Sequence, residues 1–265
     1  MLATLPAVTI ALVAVCVLLG LAVGSFLNVV ISRVPRKESV VRPRSHCPSC
    51  GQPIADRDNI PVVSWLLLRG RCRACKQPIS IRYPLVELAT AALFAAVAVR
   101  FGESWVVPGY CLFFGALLAI SVIDLDHFIV PNRIIYPTLF ASVPLLVGAA
   151  ALDHNWTALE HAIIGGLAGF GAFIVIHFIS PNGMGFGDVR LAGVIGVYLG
   201  WLGYRQVFLG LFLSMVLGSV IGIGLIVFGG RGRKDAVPFA PFMAAGAVLA
   251  VLFGNGLVHV WGGRL

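Results

Sequence analysis

Residues 105–132 read WVVPGYCLFFGALLAISVIDLDHFIVPN. Positions 105–123 contain no charged residue, and two aspartates, Asp124 and Asp126, follow directly. A helix of about 20 apolar residues is long enough to cross the hydrocarbon core of a bilayer. The stretch therefore predicts a transmembrane helix that ends in acidic residues. The apolar run indicates the fold class, and the acids at its end indicate where a functional site could lie.

The rest of the chain has the same apolar character. Of its 265 residues, 59% are hydrophobic and 11% are charged, and the mean hydropathy is +0.97, whereas soluble domains carry about 25% charged residues. This composition predicts an all-α polytopic membrane protein with about eight transmembrane helices. No repeat of fixed period is evident. The eight apolar runs cover residues 7–31, 84–99, 105–123, 134–151, 159–180, 189–203, 206–228 and 237–260.

The distribution of basic residues predicts the orientation of these helices. The first run has no basic residue before it and is too long for the apolar core of a signal peptide, so we expect it to be retained with its N-terminus outside. Alternating eight spans from that start places most of the 19 lysines and arginines inside, notably those of the 33–83 and 229–236 loops. Asp124, Asp126 and a third acid, Asp188, then lie at one cytoplasmic face.

The 33–83 loop contains two closely similar cysteine pairs. Cys47 and Cys50 stand in CPSC, and Cys72 and Cys75 stand in CRAC. This spacing is typical of a four-cysteine zinc site, in which each CxxC turn presents two thiolates to one tetrahedral ion. Disulfides or free thiols are the alternatives, and a reducing cytoplasmic side disfavours disulfides. We expect a closed, structural zinc site.

Asp188 interrupts the apolar pattern a second time, within GMGFGDVRL at residues 183–191. Acids at the ends of two spans can be interface residues, helix caps, or proton or cation ligands of a transporter. Two carboxylates that share one proton can also activate water against a peptide bond. Residues two apart on a helix point about 200° away from each other. Only one of Asp124 and Asp126 can therefore face Asp188, and this argument alone does not choose between them.

Five motifs in this order resemble the bacterial prepilin peptidases, also called type IV leader peptidases, which are aspartic proteases of the inner membrane. The similarity covers nearly the whole chain. The motifs are GSFLNVVISRVPR (24–36), DNIPVVSWLLLRGRCRAC (58–75), SIRYPLVE (80–87), the D-x6-P-N pattern (124–132) and GxGD (185–188).

The resemblance implies a function and assigns roles to residues. Asp124 and Asp188 occupy the catalytic positions of the family, so it selects Asp124 over Asp126. It implies removal of a basic leader from type IV prepilins and pseudopilins at the cytoplasmic face of the bacterial inner membrane. It also implies N-methylation of the new terminus with S-adenosylmethionine, since the four-cysteine loop accompanies that version of the enzyme. No motif identifies residues that bind the methyl donor.

These expectations divide the chain into three parts. Residues 1–32 form the first transmembrane helix, residues 33–83 a cytoplasmic zinc-binding loop associated with methyl transfer, and residues 84–265 a transmembrane aspartic peptidase region. The expected partners are prepilin and pseudopilin substrates within the membrane and the lipid bilayer, with no nucleic acid. We expect His177 and Glu87 to be structural.

Two other functions remain to be compared with the peptidase. A transporter using Asp124 and Asp188 as proton or cation ligands would be expected to carry acids near the bilayer midplane and broken helices in paired halves. The acids here lie at span ends, and no such halves are visible. A zinc-dependent scaffold that only binds pilus machinery would explain the cysteines but not the carboxylates.

Overall fold

The computed structural model describes residues 6–180, 184–228 and 237–262, with side chains of the last helix described up to residue 254. The 229–236 loop, which the charge distribution placed inside, lies outside these residues. The described residues form helices and loops without a β-strand, as the composition predicted. The helices are α1 (Ala7–Arg33), α2 (Val63–Leu67), α3 (Arg82–Phe101), α4 (Val107–His127), α5 (Asn132–Leu152), α6 (Trp156–Ile179), α7 (Phe186–Leu202), α8 (Tyr204–Val227) and α9 (Ala240–Gly262).

The eight long helices agree with the eight apolar runs. Within the described residues, α1, α3, α4, α5, α6 and α8 are long and apolar enough to cross a membrane. Helix α7 has 17 residues, and the part of α9 from Ala240 to Gly254 is a shorter apolar helix. The structure therefore confirms a multi-pass helical membrane protein.

The chain forms two compact units, Met1–Glu103 and Ser104–Leu265. In the first unit, α1 packs tightly against α3 because glycines remove the side chains at their contact. A Cβ atom at Gly20 would lie 2.6 Å from the Cα of Ala91, and one at Gly24 would lie 2.6 Å from the Cα of Glu87. Small residues allow this close approach of transmembrane helices.

The loop between α1 and α3 contains two copies of one turn. The backbone N–H of Cys47 donates to Gln52 at 3.0 Å, and that of Cys72 donates to Gln77 at 2.9 Å. Each turn then closes with an isolated antiparallel bridge. The sequence shows this short repeat as CPSCGQPI (47–54) and CRACKQPI (72–79). These two short copies do not form a repeat of fixed period, but they give the loop two equivalent cysteine turns.

In the second unit, α4 is the most buried of the candidate spans. Its aromatic residues pack against α7, where the rings of Phe113 and Tyr198 stack with centroids 4.2 Å apart. The hydroxyl of Tyr110 donates to the carbonyl of Tyr198 at 2.6 Å, and the hydroxyls of Ser142 and Tyr198 lie 2.6 Å apart. These bonds satisfy polar groups that are almost fully buried, and they fix the positions of α4, α5 and α7.

Helix α6 contacts α7 along a row of glycines. A Cβ atom at Gly165 would lie 2.5 Å from the carbonyl oxygen of Gly196, and one at Gly169 would lie 2.5 Å from that of Ala192. The glycines at this contact therefore serve packing. This contact sets the position of α7, whose first turn carries Asp188.

We expect Gly169→Ala to destabilise the second unit by about 1–3 kcal/mol, the usual cost of an extra group in a packed interior. The methyl group would meet the backbone of α7, which cannot move away alone. Thermal unfolding of the detergent-solubilised protein measures the effect.

Gly171→Ala, in the same helix, is the matched control, because nothing lies within 4 Å of its added Cβ. It should keep or raise the unfolding temperature, since alanine favours a helix by about 1 kcal/mol over glycine. Equal unfolding temperatures for the two variants would contradict the tight contact between α6 and α7.

Candidate active site and metal centre

Asp124 lies on the last turn of α4 and is buried, with 4% of its surface exposed. Its Oδ2 atom accepts a hydrogen bond of 3.0 Å from the backbone N–H of Ala240, the first residue of α9. The first N–H groups of a helix have no partner within the helix. The Asp124 carboxylate therefore satisfies one of these groups and is itself held in a defined orientation.

Asp188 lies on the first turn of α7 and is 9% exposed. It interacts electrostatically with Asp124, so the structure brings together the acids of two motifs that are about sixty residues apart in the sequence. Asp126 is exposed, on the opposite side of α4. Of the two acids that the sequence left as alternatives, Asp124 is the one that is buried and interacts electrostatically with Asp188.

Two further contacts join these motifs, and the sequence analysis missed both. The guanidinium of Arg190 donates to Oδ1 of Asn132 at 2.7 Å and lies 4.5 Å from the ring centroid of Phe186. A Cβ atom at Gly187 would lie 2.7 Å from that of Val130, so the GxGD turn fits closely against the loop after α4. The signal for the first contact was present, since Asn132 ends one motif and Arg190 follows the other.

The start of α9 is a third component that the sequence analysis did not assign to the site. Helix α9 begins at Ala240, and Pro241 occupies its second position. Proline is common in the first turn of a helix, where its missing N–H costs no hydrogen bond. The sequence therefore marks where α9 begins, but not that this end contacts Asp124.

The two residues that we expected to be structural both contact the backbone. Nδ1 of His177 lies 2.9 Å from the carbonyl oxygen of Met184 and so connects the end of α6 with the GxGD turn. The buried carboxylate of Glu87 accepts a hydrogen bond of 2.7 Å from the N–H of Val62. Val62 has φ +62°, which is strained for a β-branched residue. Glu87 thus holds the turn before α2.

The four loop cysteines form one cluster. Their Sγ atoms all lie within 4.8 Å of one another, and those of Cys47 and Cys75 are 3.8 Å apart. With Zn–S bonds of about 2.3 Å, a tetrahedral site separates its sulfur atoms by about 3.8 Å. All four cysteines are free thiols rather than disulfides. The cluster therefore has the donor type, number and spacing to hold a metal ion.

The electrostatics of the cluster agree with a metal site. The backbone N–H groups of Cys50 and Ser49 lower the pKa of the Cys47 thiol to about 6. The backbone N–H of Gln77 also lowers the pKa of Cys75, but burial and the neighbouring thiols outweigh it and raise that pKa to about 11. The Cys47 thiol therefore loses its proton easily. Deprotonating Cys75 as well requires that the negative charge of the neighbouring thiolates be compensated. A divalent cation supplies such compensation.

The loop also contains an ion pair close to the second cysteine turn. The guanidinium of Arg73 forms two hydrogen bonds to the carboxylate of Asp58, at 2.8 and 2.6 Å. This hydrogen bonding and the charge of Arg73 lower the pKa of Asp58. The indole N–H of Trp65 donates to the carbonyl of Ile79 at 3.1 Å. These contacts tie the cysteine turns to α2 and its preceding loop.

Comparisons with known proteins agree with this geometry. Residues 18–101 match the model of the bacterial peptidase A24 N-terminal domain, and residues 111–223 match the model of the type IV leader peptidase family. The first match contains all four clustered cysteines, and the second contains Asp124 and Asp188. No solved structure matches the chain.

Several relatives share the name prepilin leader peptidase/N-methyltransferase. The protein of Aeromonas hydrophila is 35% identical, and the alignment covers 91% of each chain. The protein of Bacillus subtilis is 34% identical over 91% of this chain and 94% of its own. That of Stutzerimonas stutzeri is 36% identical over 93% of this chain and 92% of its own. The matched models, together with relatives of this similarity and coverage, show that the chain belongs to the type IV leader peptidase family.

Proposed function

We propose that this protein removes the basic leader from type IV prepilins and pseudopilins, and then N-methylates the terminus that cleavage exposes. The observation that carries the proposal is the buried pair of Asp124 and Asp188, formed where α4 ends and α7 begins. Membership of the type IV leader peptidase family and the names of its relatives support the same activities.

The pair accounts for peptide hydrolysis with two carboxyl groups and one shared proton. The ionised carboxylate takes a proton from water as the water oxygen bonds to the scissile carbonyl carbon, and the other carboxyl protonates the carbonyl oxygen. In the gem-diol that results, one hydroxyl returns its proton to the second aspartate. The C–N bond then breaks, the nitrogen takes the proton held by the first aspartate, and the pair returns to its initial state.

The position of the pair suits a substrate that is partly in the membrane. A prepilin has a basic leader followed by an apolar helix, so its scissile bond lies where the bilayer meets water. We place this end of the bundle at the cytoplasmic face of the bacterial inner membrane, with the N-terminus outside. The bias of basic residues supports that orientation, and the position of both acids at helix ends suits cleavage near the membrane surface.

The remaining parts of the proposal concern the other two segments. Residues 33–83 form a cytoplasmic zinc loop associated with methyl transfer, between a first helix at residues 1–32 and the peptidase region at residues 84–265. Cys47, Cys50, Cys72 and Cys75 would hold zinc as a structural ion, since four thiolates leave no open position. S-adenosylmethionine would supply the methyl group for the freed amine.

The alternative functions have less support. The transporter is not supported, because the family and its relatives are named as peptidases. A scaffold with a metal site alone would not require two buried acids to face each other.

We expect Asp124→Asn and Asp188→Asn each to abolish leader cleavage, since each variant removes one proton carrier of the pair. Mass spectrometry of a co-expressed prepilin reports loss of the leader and methylation in one measurement. Asp126→Asn is the matched control, because Asp126 is exposed on the other side of the same helix turn. It should retain most of the activity. Full cleavage by either of the first two variants would refute the assignment.

We expect purified protein to contain about one zinc ion per chain, as one four-thiolate site requires. Cys47→Ser or Cys72→Ser should lose the metal, while Cys111→Ser, which lies on α4 outside the cluster, should retain it. Elemental analysis measures the content. Zinc-free wild-type protein, or disulfides between the loop cysteines, would contradict a zinc site.

We expect the cleavage rate to pass through a maximum as pH is varied, because the active pair carries a single proton. The rate should fall on the acidic side as the base becomes protonated and on the alkaline side as the acid loses its proton. The two apparent pKa values would belong to the pair as a whole. A rate that changes only once across the pH range would argue against shared-proton catalysis.

A further inference from the structure

Ser121 lies on α4 one turn before Asp124 and is buried, with 8% of its surface exposed. Within the described part of the chain, its hydroxyl oxygen is buried and makes no hydrogen bond. Buried polar groups nearly always have partners, and one without a partner calls for an explanation.

Other buried hydroxyls on helices in this protein behave differently. The hydroxyls of Thr90, Ser142 and Ser214 each donate to the carbonyl of the residue four positions earlier, in every case at 2.7 Å. This bond to the preceding turn is the usual solution for serine and threonine within a helix. The carbonyl of Leu117 lies at the same position relative to Ser121, but the Ser121 hydroxyl does not donate a hydrogen bond to it. The Ser121 hydroxyl is therefore available for another partner.

The geometry of a helix places this hydroxyl beside the aspartate pair. Residues three apart lie on the same face, with about 5–6 Å between their Cβ atoms. Side chains also lean toward the N-terminus of their helix, so Asp124 leans over the turn that contains Ser121. The bond from Ala240 holds Oδ2 of Asp124 on the side of α9. Ser121 is thus the nearest neutral polar side chain of α4 on the face that carries Asp124.

We propose that Ser121 is a third catalytic side chain, whose hydroxyl binds the hydrolytic water next to Asp124. The inference rests on the proposed aspartate mechanism. In that step a carboxylate removes one proton of the water, and the second hydrogen needs an acceptor. A serine hydroxyl has two acceptor sites in addition to its donor. By accepting this hydrogen, Ser121 fixes the orientation of the water and directs the remaining lone pair at the scissile carbonyl.

The test compares Ser121→Thr with Ser121→Val. The two side chains have nearly the same shape, but only threonine retains the hydroxyl. We expect Ser121→Val and Ser121→Ala to lower kcat for prepilin cleavage by about 10- to 100-fold, the factor for one hydrogen bond in a charged site. KM should change little, because the water rather than the substrate loses its contact. Ser121→Thr should retain kcat within a few-fold of the wild-type value.

Controls separate this inference from folding and from the proposed function. Ser214→Ala removes a buried helix hydroxyl that already has partners, so it should leave kcat unchanged even if it lowers the unfolding temperature. If the Asp124→Asn variant cleaves normally, the aspartate mechanism itself is wrong. If that variant is inactive while Ser121→Val and Ser121→Thr have equal kcat values, the mechanism stands and the role of Ser121 is refuted. Ser121→Ala provides the same comparison should the valine variant not fold.

Discussion

The hydrogen bond from the backbone of Ala240 to the Asp124 carboxylate joins the end of α4 to the beginning of α9. This bond pairs two polar groups that are costly to leave without a partner in a membrane protein. The first turn of a helix has N–H groups without partners, and a carboxylate near hydrocarbon needs donors. Because one contact satisfies both groups, the end of α4, the start of α9 and the position of the acid depend on one another. The orientation of Asp124 is therefore a property of the packing of the unit.

Different contacts determine the position of Asp188. It lies on the first turn of α7, and the glycine contact with α6 fixes the position of that helix. The bond between Arg190 and Asn132 then ties the start of α7 to the first residue of α5. The hydrogen bond of Arg190 and the glycine contact with α6 thus both hold the helix that carries Asp188. A loose helix start would let the two carboxyl groups separate, and the shared proton of the proposed mechanism requires that they stay close.

Much of this architecture could be predicted from the sequence because it depends on local patterns. Apolar runs predicted each long helix to within a few residues, since span length follows from bilayer thickness. The CxxC pairs predicted the cluster because ligand spacing is local within each turn. The partner of Asp188 could not be found in this way: helix geometry excluded a joint role for Asp124 and Asp126, but only the packing shows that Asp124 is buried. The contacts of Asn132 and Ala240 and the unpaired hydroxyl of Ser121 likewise arise between distant segments.

The polar groups of the second unit change in character with depth in the helix bundle. The carboxyl groups of Asp124 and Asp188 lie on terminal turns, at the end of the bundle where we propose that the scissile bond is cleaved. One turn further from that end of α4, the polar group is the neutral hydroxyl of Ser121. Further along α7, the Tyr198 hydroxyl is fully buried and lies 2.6 Å from that of Ser142. A charge costs far more in hydrocarbon than a hydroxyl does, and a hydroxyl without a partner costs more than a paired one. Of these groups, only the Ser121 hydroxyl is a buried donor without a hydrogen-bond partner, and it lies one helical turn from Asp124.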